Sequence, residues 1–122
     1  MANAIFMNDA GFIEVKVDGD QTAESVEVMG DEVKRLLNNL KAKGKPRLIL
    51  DDLTHMGRSN IPARQLVADL AKKLDYERVA MIGDGSVLMR VGTNLLLSAI
   101  GQGGKIRYFE NRDEAVAWLQ GR

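Results

Sequence analysis

The feature that most constrains this chain is the spacing of three short apolar runs, residues 47–50, 79–82 and 106–109. The first lies between Pro46 and Asp51, the second stops at Gly83, and each is parted from the next by enough chain for a helix and its turns. Runs this short, mainly apolar apart from Arg47 and Arg107, suit strands covered on both faces. Strands separated by helices pair in parallel through crossover connections.

Residues ahead of the first run behave differently. Positions 12–18 alternate, with Ile13, Val15 and Val17 on one face and Glu14, Lys16 and Asp18 on the other, the pattern of a half-buried strand. Asp9, Ala10 and Gly11 read as a turn joining it to a short strand around Ile5, Phe6 and Met7. The hairpin sets one early strand antiparallel to the rest.

Helical spacing accounts for the intervening segments. Val26, Met29, Val33, Leu36, Leu37 and Leu40 form one stripe, with Thr22 or Asp20 as cap and Gly44 and Pro46 as terminators. A loop is expected from Asp51 to Asn60, then a second helix with Pro62 in its first turn and a stripe of Leu66, Val67, Leu70, Ala71 and Leu74. Ser86 is placed to cap a further helix ending near Gly101, and residues 101–104 form a flexible glycine loop. Asn111 and Glu114 have capping-box spacing for a last helix carrying Ala115, Trp118 and Leu119. The predicted order is β-β-α-β-α-β-α-β-α. This is an α/β fold with a mixed, mostly parallel five-stranded sheet flanked by helices on both sides.

At 122 residues the chain is expected to form a single domain, 1–122, with a self-sufficient core. Lys+Arg and Asp+Glu are both 17, so no whole-molecule charge draws it to nucleic acid or an anionic membrane. The absence of cysteine excludes disulfides, thiol catalysis and thiolate metal sites, and fits a reducing, cytoplasmic setting. No signal peptide is evident, and no apolar stretch is long enough to span a bilayer.

The order and lengths resemble the STAS domain, and most closely its SpoIIAA-like branch, also called STAS/SEC14-like. Four segments carry the likeness: FIEVKVDG at 12–19, RLILDD at 47–52, YERVAMIG at 76–83 and YFENRDEAVAWL at 108–119. The resemblance implies a regulatory, protein-binding module without enzymatic activity or cofactor. In anti-sigma-factor antagonists of this family, a serine at the start of the second helix is phosphorylated and the added charge breaks partner binding. Ser59 falls at about that place, with Thr54 next in order. Arg58 precedes it where the family carries Asp, and Asn60 and Ile61 replace a small residue and Gly.

The expected interaction surface combines Arg58, Ile61 and Arg64 with Leu88, Val91 and Leu95 of the helix after Ser86. That helix is apolar nearly all round, more than one sheet face requires. The excess can pack in the core, form a homodimer contact, or line a pocket for a small apolar or lipid-like ligand. No specific protein partner is identifiable.

Other candidates are weaker. Asp51 and Asp52 end a parallel strand, where open α/β sheets bind ligands, but neighbouring strand residues point to opposite faces. Asp84, Gly85 and Ser86 open a helix and offer a site for an anion or metal, without the third glycine of a dinucleotide motif or a Walker lysine. A receiver-like reading of Asp51, Asp52 and Asp84 needs those carboxylates to converge. His55, the only histidine, reads as a surface residue. Lys34, Arg35, Lys41, Lys43, Lys45 and Arg47 form a basic stretch with no interleaved aromatic, read as a solvated helix end.

Overall fold

The computed structural model describes residues 2–84, 86, 98, 101 and 104–121. Strands β1 (Ala4–Met7) and β2 (Ile13–Gln21) lead into helix α1 (Ala23–Ala42). Strand β3 (Leu48–Ser59), helix α2 (Ile61–Lys73), β4 (Arg78–Ile82), β5 (Ile106–Phe109) and helix α3 (Arg112–Leu119) follow. Gly85, Leu88, Val91, Leu95 and most of the apolar helix expected after Ser86 lie outside the described residues.

The five strands lie in sequence order, β1-β2-β3-β4-β5. Only β1 is antiparallel to its neighbour, as the hairpin reading requires. The side-chain alternation of β2 sorts the core into two layers. Ile13, Val15 and Val17 pack with Val33, Leu36, Leu37 and Leu40 of α1. On the other face Phe12, Leu50, Ala80 and Ile82 meet Ala115 and Leu119 of α3. Each large side chain buried in these layers contributes roughly 1.5–3 kcal/mol.

Helix ends follow the expected chemistry. Thr22 caps α1, its side chain accepting from the Ser25 amide while the Ser25 hydroxyl accepts from the Thr22 amide. Asn60 caps α2, and Asn111 caps α3 by accepting from the Glu114 amide at 2.8 Å. The α2 stripe is only half-buried, and Ala63 is its one fully buried residue. At Gly30 of α1, a Cβ would lie 2.8 Å from Leu70 Cδ1, so the two helices approach as closely as a glycine permits.

Two expectations need correction. The segment 51–59 is not a loop: β3 continues through it and pairs with β2 as far as Gln21 opposite Ser59. Its pairing with β4 stops at Asp52, so residues 53–59 and the end of β2 form a two-stranded arm beyond the sheet. Sequence pattern missed this because a polar run with Gly57 shows no apolar alternation. Gly57 is what lets the arm close, since a Cβ there would lie 2.2 Å from Asp20 Oδ1. The second correction concerns Glu14, expected on the polar face of β2. It is 2% exposed, and Arg112 of α3 meets its carboxylate.

Candidate functional site

The junction of β3 and α2 brings together four of the residues singled out by sequence: Arg58, Ser59, Ile61 and Arg64. Asp20 Oδ1 accepts from the Arg58 amide at 2.8 Å, and the Asn60 amide donates to Gln21 O at 3.4 Å, fixing the strand end against β2. Asn60 Oδ1 then accepts from the Ala63 amide at 2.9 Å and starts the helix. This geometry turns Ile61 outward at the first position of α2, where it is 66% exposed. Arg58 and Arg64 are exposed on either side in sequence.

Ser59 sits half-buried at the last position of β3, and its hydroxyl has no hydrogen-bond partner among the described residues. No acidic side chain occupies the first turn of α2. A negative charge added at Ser59 would meet the positive end of that helix and the Arg58 side chain. Thr54 and His55 are exposed farther back on the arm, and the Thr54 amide donates to Asp52 Oδ1 at 3.0 Å.

The carboxylates of the receiver-like reading do not converge. Asp51 and Asp52 are consecutive on a strand and face opposite layers. Asp84 lies in an exposed turn, accepting from the Ser86 amide at 2.8 Å. Among the described residues, no three His, Cys, Asp or Glu side chains are grouped to hold a metal ion.

Asp51 has no hydrogen-bond partner among the described residues, and burial pushes its carboxyl up to about 7. Tyr76, whose hydroxyl donates to Ala71 O, is pushed up to about 12 by burial and by the Asp51 charge.

Sequence reasoning missed one arrangement entirely. Arg112, in the first turn of α3, clasps the buried Glu14 carboxylate through Nη1 at 3.1 Å and Nη2 at 2.5 Å. Asn8 Nδ2 adds a third donor at 2.9 Å. Burial would push the Glu14 carboxyl up. The hydrogen bonds from Arg112 and Asn8, with the charges of Arg112 and Lys16, outweigh it and hold the carboxyl below its ordinary value. One signal was available: a cation in the first turn opposes the helix dipole unless an anion partners it.

A shallow cleft of about 350 Å³ opens between β1 and the start of α1, lined in part by Ile5, Val28 and Met29. Among the described residues, no helix is long and apolar enough to cross a membrane.

Comparison with known proteins fits this architecture. The SpoIIAA-like family model matches residues 12–120. The chain belongs to the SpoIIAA-like family. An uncharacterised protein with a SpoIIAA-like fold from Shewanella loihica PV-4 superposes with a TM-score of 0.69 at 25% identity, covering 97% of this chain and 92% of that one. The anti-sigma factor antagonist SpoIIAA in its unphosphorylated form superposes with a TM-score of 0.60, covering 99% of this chain and 100% of its own. At 15% identity that second likeness is one of fold. Among curated proteins, none matches the sequence.

Proposed function

We propose that residues 1–122 act as one non-catalytic interaction module that docks a protein partner on the end of β3 and the start of α2. The observation that carries this reading is Ile61, a large apolar side chain 66% exposed between Arg58 and Arg64. An exposed aliphatic anchor rimmed by cations suits a partner with an apolar pocket and an acidic edge. The scattered placement of Asp51, Asp52 and Asp84 counts against the receiver-like reading.

Ser59 is the proposed phospho-acceptor, with Thr54 second, because its hydroxyl, without a hydrogen-bond partner among the described residues, adjoins that anchor. A photo-crosslinking residue at position 61 tests the docking surface in the native host. The expected result is a discrete protein adduct that is absent when the crosslinker sits at exposed Lys34, and that is lost with Arg64→Glu. Equal labelling from both positions rejects the surface. A phosphate-sized mass increment mapped to residue 59 supports the switch, and Ser59→Asp leaving the adduct unchanged rejects it.

A second reading, a site for a small apolar ligand, draws on the cleft beside Ile5, Val28 and Met29. Native mass spectrometry of the protein from its host tests it. A non-covalent mass that is lost on denaturation, and also lost with Met29→Glu, supports the cleft.

A further inference from the structure

Balanced composition conceals a strongly uneven distribution of charge along the sheet. The basic stretch of α1 does not act as a unit: Arg35 is paired with Glu32 in mid-helix, and Lys34 stands exposed beside it. Its remaining lysines are joined in space by cations from other turns. The Glu77 amide donates to Arg47 O at 2.8 Å, which sets the α1–β3 turn beside the α2–β4 turn. The Val79 amide donates to Lys105 O at 2.8 Å, which adds the approach to β5. Lys43, Lys45, Lys72, Lys73 and Lys105 are therefore gathered at the end of the sheet where β3, β4 and β5 begin, all exposed.

Acids at this end are already engaged. Asp75 takes Lys41 at 3.0 Å and Arg47 at 3.5 Å, and Glu77 takes Arg47 at 3.8 Å. The hydrogen bond from Lys41, then the charges of Arg47, Lys41 and Lys105, hold the Asp75 carboxyl below its usual range. None of the five gathered lysines has an ion-pair partner among the described residues. Helix dipoles account for Lys41, Lys72 and Lys73, which lie in last turns. They do not account for Lys45 or Lys105, which lie on non-helical approaches to strands.

We infer that this lysine-rich end is an electrostatic docking surface for an anionic lipid bilayer. The five gathered cations are all lysines, point charges suited to a diffuse, mobile anionic surface. The planar guanidinium groups that would read a fixed phosphate geometry are committed internally: Arg47 to Asp75 and Glu77, and Arg78 to Trp118 O at 2.7 Å. Base stacking has no platform here. Tyr76 is buried, and the Trp118 ring is covered by the guanidinium groups of Arg78 and Arg107. The arrangement also places Ile61 at the opposite end of α2 from Lys72 and Lys73, so a lipid-docked molecule presents its exposed aliphatic anchor away from the bilayer.

Co-sedimentation of the full chain with vesicles tests this, using phosphatidylcholine alone and phosphatidylcholine with about a third phosphatidylglycerol. Binding is expected only to the anionic vesicles, weakening as salt is raised to about 0.15 M. The Lys43→Gln/Lys45→Gln/Lys105→Gln variant should bind on the order of 100-fold more weakly. The Lys34→Gln/Arg35→Gln control should bind as the parent does, and unfolding curves confirm that both variants fold. Failure to bind anionic vesicles at low salt overturns the inference. So does equal loss in the control, or tighter binding to a single-stranded oligonucleotide than to vesicles of matched anionic charge.

Discussion

Glu14 and Arg112 stand 98 residues apart in sequence and meet in a two-pronged ion pair that ties the last helix to the sheet. Glu14 is 2% exposed and its partner's side chain is 43% exposed, so the carboxylate bears most of the desolvation. Removing the arginine strands a buried anion, whereas removing both charges does not. Arg112→Ala is therefore expected to destabilise by on the order of 2–4 kcal/mol in urea unfolding. Glu14→Gln/Arg112→Met should be closer to the parent than Arg112→Ala is. A double variant as unstable as the single one would show that the arginine acts by packing and not by charge.

The same carboxylate shapes acid sensitivity. Its folded-state value lies below the ordinary 4.5, so the stability it contributes is complete above that value and is lost as pH falls through the folded one. Unfolding curves below about pH 4.5 should steepen with acid in the parent, and this component should vanish in Glu14→Gln. An unchanged acid limb in the variant would assign the loss to other carboxylates.

The arm beyond the sheet rests on one glycine. A Cβ at position 57 would meet Asp20 Oδ1 at 2.2 Å and the backbone of Asp20 and Gly19 at 3.0 Å. Gly57→Ala should cost about 1–3 kcal/mol and release the Arg58 amide to hydrogen exchange, because the strand end must move off β2. Asp20→Ala/Gly57→Ala recovers only part of the loss, since the backbone contacts remain. Retained protection of the Arg58 amide in Gly57→Ala would contradict this account.

The parts legible in sequence were those with a period or a cap. Ile13, Val15 and Val17 alternated onto the α1 layer, the α1 stripe was buried, and Thr22 and Asn111 capped the helices that they preceded. Sequence could not reveal what depends on contacts between distant segments. Residues 53–59 become a strand only because β2 lies beside them, and nothing in their composition demands it. Glu14 looked solvated because its partner, Arg112, lies at the far end of the chain. The lysines of three separate turns are neighbours only once β3, β4 and β5 are in register.

Asp51 gives the last prediction and opposes Glu14 in sign. It lies on the central strand without a hydrogen-bond partner among the described residues, and its carboxyl is pushed from 3.8 to about 7 by burial. The native state then holds this proton where the unfolded chain has released it. Its stabilising contribution is complete below about pH 4 and declines as pH rises toward 7. Discounted for the residue's partial exposure, that decline amounts to about 1–2 kcal/mol. Asp51→Asn removes the titration, so the variant should exceed the parent in stability at pH 8 and show a flatter profile between pH 4 and 7. With Glu14 failing on the acid side and Asp51 on the alkaline side, these two groups place the parent's stability maximum near pH 4. Parallel parent and Asp51→Asn curves across that window would mean the carboxyl is solvated in the folded protein.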